Sequence, residues 1–364
     1  MLTLSSSVRT VTAPLDGLQT YESHDCTGRI DMRIDPRQLV RDMKAFSCPR
    51  PWRSGVELAI TLPPFLVLCG LMLVAVERGH LLAFGLSVPA GLLLLRLFLI
   101  QHDCGHGSFL QGRSANDWLG RALGVLTFTP YDCWRRSHAL HHAGTGNLDA
   151  RGFGDVDTLT VREYNARTRW GRLFYRVYRH PLVLFGIGPA YLFLLRHRLP
   201  IGLMRAGSIY WVSALATNAV TALLLTALAY HFGLAVIAMT LLPVLLIAAS
   251  TGVWLFYIQH QFENAHWDES AAWSFHDAAL NGSSYLALPP VLRWFTANIG
   301  IHHVHHLASR IPFYRLPEVL LAHPSLKTIN RFTALQTLES VRLVLWDGDE
   351  RRLVSFDAAS RMSH

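Results

Sequence analysis

This sequence predicts an all-α, polytopic membrane protein with four transmembrane helices in two hairpins, interfacial helices and a cytosolic histidine-rich cap. Three observations predict it. Four apolar runs, 56–76, 81–100, 209–230 and 234–258, each approach the ~20 residues needed to cross a ~30 Å hydrocarbon core. Only short links, 77–80 and 231–233, separate the members of each pair. Three histidine clusters stand just outside the runs: His102 with His106, His138 with His141 and His142, and His302 with His305 and His306.

Residues 1–54 read as a cytosolic N-terminal arm, because no apolar core of roughly 7–15 residues follows a basic start and no secretory signal peptide is expected. Residues 55–345 hold the membrane domain and the clusters, and 346–364 read as a cytosolic C-terminal tail. A pair of crossings returns the chain to its starting side, so all three clusters should face the same compartment. The segment 181–195 is apolar but too short for an ordinary crossing, and it carries Gly186, Gly188 and Pro189; it reads as a helix lying in or dipping into the interface. The stretch 118–134 should also lie at the interface. Helical spacing of Leu326, Ile329, Phe332, Leu335, Leu338 and Val341 predicts a cytosolic helix over 325–345. Asp347-Gly348, between two short apolar runs, predicts a small β-hairpin.

Hydrophobic residues make up 51% of the 364, high for a soluble enzyme, so a water-soluble bundle with four buried helices is the weaker reading of the runs. The formal charge is +8, carried mostly by arginine. The arginines do not cluster with interleaved aromatics on a nucleic-acid-binding module, which argues against nucleic acid as a partner. Their density over 101–207, against almost none in the two short links, places both termini and the middle segment in the cytosol. It also predicts contact with anionic lipid headgroups. Arg96, inside the second run, should either bind an acyl headgroup or snorkel to the interface. The five cysteines, Cys26, Cys48, Cys69, Cys104 and Cys133, include no C-x-x-C and read as reduced thiols. Cys104 and Cys133 lie near histidine clusters and either ligate or pack.

Imidazole ligates metals as the neutral base that prevails near pH 7. Residues i and i+4 share a helix face, so His102 and His106 can meet one ion or bridge two. His138 and His142 do the same, with His141 about 60° to one side; His302, His305 and His306 repeat the pattern. These eight histidines exceed the roughly four donors of one zinc and suit two first-row metal ions. His260, directly after the fourth run, is a further ligand; His266 and His276 are substitutes for it, and His303 packs or hydrogen-bonds behind the site. Metal-bound imidazoles donate their other N–H to carboxylates or carbonyls, a role open to Asp103, Asp132, Asp149, Asp155, Asp157 and Glu263. A two-metal site at a bilayer surface suits an apolar, long substrate and O2 chemistry at unactivated carbon, ending in a double bond or an alcohol.

The motifs resemble those of the membrane fatty-acid desaturases, specifically bacterial acyl-lipid desaturases. His102-Asp-Cys-Gly-His-Gly-Ser-Phe109 is similar to their first histidine box. Ser137-His-Ala-Leu-His-His142, followed by 147–155, resembles the second. The segment 254–263 resembles the stretch with their isolated histidine. Gly282-Ser-Ser-Tyr285, 294–306 and Ser309-Arg-Ile-Pro312 resemble the third. The chain departs from the family's pattern at Ala297 and Phe313, where glycine and asparagine are common. The resemblance covers roughly 55–345 and implies a non-haem di-iron centre in a bacterial inner-membrane protein. It implies two iron ions on His102, His106, His138, His141, His142, His260, His302, His305 and His306, with Asn298 as a further candidate through water. O2 would be co-substrate and membrane-lipid acyl chains the substrate. His323-Pro324 is followed by Ser325-Leu326 rather than the Gly-Gly of a haem-binding cytochrome b5 domain, so the electrons are expected from a separate ferredoxin docking on the arginine-rich face. The nearest alternative is a fatty-acid or carotenoid hydroxylase or ketolase on the same scaffold. A zinc-dependent membrane receptor or transporter is the reading from another class.

Overall fold

The structure is a computed structural model that describes residues 22–24, 30–32, 35–152 and 155–362. The N-terminal arm up to residue 21, Cys26, Phe153, Gly154 and His364 lie outside the described residues. The chain divides into two compact units, one ending at Asp42 and one beginning at Met43. In the first, strands β1 (Glu22–His24) and β2 (Ile30–Met32) pair antiparallel. Helix α1 spans Pro36–Met43.

Four helical stretches are long and apolar enough to cross a membrane: Pro51–Glu77, Ala83–His106, Ser208–Phe232 and Leu234–His260. The first is two helices, α2 (Pro51–Ala59) and α3 (Leu62–Glu77). Pro63 and Pro64 supply no N–H to the carbonyls a turn earlier, so the helix restarts there. Gly79, at φ 76°, turns the chain, and α4 (Ser87–His106) returns. Gly107, at φ 69°, ends α4 in a left-handed cap. Its N–H bonds Cys104 and that of Ser108 bonds Asp103, both at 3.0 Å, a Schellman closure that stops the helix one residue after His106.

Helices α5 (Arg113–Leu126) and α6 (Tyr131–Gly144) follow. Strand β3 (Leu159–Thr160) leads into α7 (Val161–Ala166) and α8 (Arg169–Tyr178). The segment 181–195 forms one wide turn, Val183–Ile187, running into α9 (Gly188–Leu194). Its seven-residue helix falls well short of a crossing. Helix α10 (Ser208–Phe232) and α11 (Leu234–His260) form the second hairpin about Gly233, at φ 79°.

Helix α4 is the best-covered span and lies along α11. A Cβ on Gly91 would stand 2.7 Å from Ile247 Cγ2 and 3.0 Å from the Val244 carbonyl. Glycine is what lets these two backbones approach, as in other membrane helix pairs. The outer faces of α3 and α10 expose Leu66, Val67, Leu71, Leu215 and Leu223, the composition that suits lipid tails.

Beyond α11 the elements are short: α12 (Phe275–Asn281), β4 (Tyr285–Ala287), α13 (Pro290–Phe295), α14 (His302–Leu307) and α15 (Leu316–Ala322). The helix expected over 325–345 does not form. Strand β5 (Arg331–Thr333) instead pairs parallel with β4, and a four-residue helix covers Thr337–Ser340. Asn330 breaks the periodicity: it sits at φ 42°, and its amide donates to the carbonyls of Leu280, Asn281 and Ser283. The expected hairpin does form. Strands β6 (Leu345–Asp347) and β7 (Arg352–Val354) pair antiparallel, and β3 joins β6 in parallel. Asp347 Oδ1 caps the connecting turn from the amides of Asp349 and Glu350. Trp346 and Leu353 pack with Phe262, Ala265 and Trp267, so residues after 345 share a core with the loop after α11.

Candidate metal centre

Helix α4 presents His102 and His106 on its last turn, α6 presents His138, His141 and His142, α11 ends on His260, and α14 carries His302, His305 and His306. The nine imidazoles fall into two groups. His102, His106, His138, His142 and His305 make one; His141, His260, His302 and His306 make the other, with the ligand atoms of each group within 4.8 Å of one another. In both HxxHH clusters the i, i+4 pair goes to one group and the middle histidine to the other. The helical angle between them dictates this.

The nitrogens touch in a way hydrogen bonding cannot explain. His138 Nε2 lies 3.0 Å from His106 Nε2 and 3.1 Å from His142 Nε2, which in turn lies 3.1 Å from His305 Nε2. In the other group His302 Nε2 lies 2.9 Å from His260 Nε2 and 3.0 Å from His306 Nε2. A ring nitrogen has one in-plane lobe, either a lone pair or an N–H, so it cannot bond two neighbours at once. Nitrogens sharing a cation do sit this way: at ~2.1 Å from an ion and at right angles they are ~3.0 Å apart, against ~3.4 Å in a tetrahedron. His141 Nε2 supplies a second sign, being buried with no protein partner while its Nδ1 is held by Asp155. The donor set therefore fits metal.

Burial, and then the neighbouring imidazoles, push His138, His142, His302, His305 and His306 well below the ordinary histidine range. These rings stay neutral near pH 7 and offer lone pairs to a cation.

Several groups hold the rings in place. Asp103 Oδ1 lies 3.2 Å from His102 Nδ1, and its Oδ2 accepts the Phe313 amide at 2.7 Å. His260 Nδ1 donates to the Gly282 carbonyl at 3.1 Å. A Cβ on Gly282 would meet the Ala278 carbonyl at 2.6 Å, which accounts for the glycine of that Gly-Ser-Ser-Tyr string. Trp134 stacks on His138 with ring centroids 4.7 Å apart. Box three enters α14 through Ala297 and Asn298, at φ 46° and 53°. A left-handed alanine is costly, the physical reason glycine suits that position.

Other residues singled out in the sequence contact different partners. Asp149 accepts from the Ser270 amide, Glu263 pairs with Arg352, and Asn298 donates to the Phe313 carbonyl. Asp132 holds Arg121 at 3.0 and 3.1 Å, and the Asp157 carbonyl accepts from Arg179. His303 donates to the Leu326 carbonyl at 2.9 Å, and His266 meets Asp268 at 2.6 Å. Cys104 is buried outside both groups, and Cys133 donates to the Tyr210 carbonyl. Arg96 neither snorkels nor faces a headgroup. It is 1% exposed, paired with Glu57, bonded to Thr61 Oγ1 and the Trp294 carbonyl, and 4.2 Å over the Trp294 ring. The Gly282 carbonyl escaped sequence reasoning, because a backbone acceptor carries no local motif.

Four helices long and apolar enough to cross a membrane, two of them ending in histidine ligands, and nine buried or half-buried imidazoles in two groups define an integral membrane protein built around a histidine-walled metal site. The profile of the fatty acid desaturase family matches residues 79–327, and this chain belongs to that family, whose members are oxidoreductases. It is 40% identical over 323 residues to a fatty acid desaturase of Bacillus subtilis, covering 88% of this chain and 91% of the relative. It is 32% identical over 243 residues to the sn-1 acyl-lipid omega-3 desaturase (ferredoxin) of Synechocystis, covering 62% and 63%. To the sn-1 oleoyl-lipid 12-desaturase of the same organism it is 30% identical over 257 residues, covering 65% and 66%.

Proposed function

We propose that this protein introduces a double bond into a membrane-lipid acyl chain, using O2, two iron ions and two electrons from a separate ferredoxin. The balance is CH2–CH2 plus O2, two electrons and two protons giving CH=CH and two waters. The observation that carries it is a cavity of about 250 Å³ whose walls are mainly apolar, among them Leu95, Phe98, Leu99, Ala248 and Leu255. His102 and His138 of one histidine group and His302 of the other also line it. Its exposed lining residues, Arg196, Leu199 and Ile201, lie together in the chain, and its histidines His102 and His302 are buried. An extended alkyl chain entering beside 196–201 would reach both histidine groups with water excluded.

His102, His106, His138, His142 and His305 would hold one iron, and His141, His260, His302 and His306 the other. Bound iron supplies O2 activation and the removal of hydrogen from unactivated carbon. The chain's own part is positional. Asp103, Asp155 and the Gly282 carbonyl fix ring orientation, Trp134 braces His138, and the apolar wall keeps the acyl chain dry. The arginine-rich 101–207 segment supports a cytosolic placement of the termini and the histidine face in a bacterial inner membrane. Arg136 is exposed there and offers an acidic ferredoxin a landing charge. Both Synechocystis relatives are named for lipid-linked substrates, and the omega-3 desaturase for ferredoxin, which supports this reading.

The test is a fatty-acid profile by gas chromatography–mass spectrometry in a host that lacks desaturases and reduces ferredoxin. The chain should yield a new unsaturated acid, absent from His305→Ala and His306→Ala variants. An oxygenated product in its place would overturn desaturation in favour of hydroxylation.

A further inference from the structure

Arg179 is a buried cation in the wrong place for a surface charge. It is 2% exposed, and no carboxylate of the described residues lies within ion-pair distance of it. Burying an unpaired charge is expensive, and this one is balanced only by neutral acceptors. Its Nη1 donates to the Asp157 carbonyl and Thr158 Oγ1, both at 3.1 Å. Its Nη2 donates to Tyr257 OH at 3.0 Å, Gln261 Oε1 at 3.1 Å and the Leu343 carbonyl at 3.0 Å. The ring of Tyr257 lies 5.3 Å from the guanidinium carbon.

Those acceptors belong to three segments that meet at one half of the metal centre. Asp157 and Thr158 continue the strand of chain that starts at Asp155, which holds Nδ1 of His141. Tyr257 and Gln261 flank His260 at the end of α11. Leu343 precedes β6, which pairs with β3 immediately after Thr158. Asp155, Tyr257, His260 and Gln261 together line a small cavity of about 20 Å³, so the residues Arg179 grips share a wall with the two it would position. His141 and His260 both belong to the four-histidine group, and neither belongs to the five-histidine group. Arg151 fastens the same segment from its other side, bonding the carbonyls of Leu148 and Thr158 and pairing with Glu163.

We infer that Arg179 is a positioning residue for one metal position alone: it sets Asp155, and through it His141, together with His260, so that the four-histidine group binds its ion. This rests on the two-metal reading above. Only arginine reaches all five acceptors at once, because its planar fork presents several donors in fixed directions.

The experiment measures metal per chain, by elemental analysis and Mössbauer spectroscopy, on the full-length protein purified with iron in detergent. Wild type should hold two irons in two distinguishable environments. Arg179→Met should hold one, with the spectrum of the five-histidine site retained, and Asp155→Asn should do the same. Arg179→Lys keeps the charge but loses most acceptors; with iron binding at that site about 10-fold to 100-fold weaker, it should lose the second iron on dialysis against a chelator that leaves wild type with two. Arg198→Met, which removes a half-buried guanidinium from Phe128, Phe193 and Asn218, should keep both irons. If after that dialysis wild type holds two irons and Arg179→Lys also holds two with an unchanged spectrum, the inference fails. It fails equally if Arg179→Lys or Arg198→Met loses both irons in parallel, the mark of general destabilisation. Wild type without iron would sink the two-metal reading itself, and the inference with it.

Discussion

Asp103 joins box one to the chain beyond box three, its Oδ2 accepting the backbone N–H of Phe313 at 2.7 Å across 210 residues of sequence. Its other oxygen faces His102 Nδ1 at 3.2 Å. One carboxylate therefore orients a ring of the five-histidine group and anchors the loop after α14. Asparagine has a single acceptor oxygen and cannot serve both. Asp103→Asn should bind iron about 10-fold to 100-fold more weakly, read by chelator titration of the purified protein. The loss should fall first on the five-histidine site.

Two histidines three residues apart in box three, His303 and His306, should behave oppositely. His303 donates to the Leu326 carbonyl and belongs to neither group. His303→Ala should lower stability by about 1–3 kcal/mol, the cost of an orphaned buried acceptor, with metal content intact. His306→Ala should lose iron and product together. Thermal melts paired with elemental analysis separate the two.

His197 lines the cavity and is pushed down to about 3 by burial and then by Arg198 and Arg196. The folded ring stays neutral while the unfolded one titrates near its ordinary ~6.5. The unfolded state thus binds the extra proton below that value. Stability from this group is complete above ~6.5 and is lost as pH falls towards about 3, at up to ~1.4 kcal/mol per pH unit. Melting in detergent from about pH 8 down to about pH 5 should show a shallower decline for His197→Phe than for wild type. Equal slopes would refute this.

Arg135 and Arg136 are neighbours with different prospects as docking charges. Arg135 is engaged by Asp117 at 2.8 Å and lies over the Tyr131 ring, whereas Arg136 is exposed. With reduced ferredoxin at low salt, Arg136→Glu should slow turnover roughly 10-fold, and the difference should vanish at high ionic strength. Unchanged turnover at low salt would remove Arg136 from the docking face.

Packing of α4 on α11 depends on Gly91. Gly91→Val drives a side chain into Ile247 and the Val244 carbonyl and should cost about 1–3 kcal/mol. A lowered melting temperature in detergent, beside Gly70→Val, where a Cβ meets nothing within 4 Å, is the measure.

The sequence by itself determined the four spans, because crossing hydrocarbon requires length and apolarity that few other constraints produce. It also determined the paired histidines, since i and i+4 meet on any helix. Tertiary structure decided how nine histidines divide into five and four, because His141 and His305 join rings from other helices. It decided that Asp103 and Asp155 face imidazoles while Asp149 and Glu263 engage Ser270 and Arg352. It also overrode the helical periodicity of 325–345, where β4 offered Arg331–Thr333 a strand partner and Asn330 three carbonyls. Local periodicity records which residues share a face; it does not record which distant backbone or charge that face will meet.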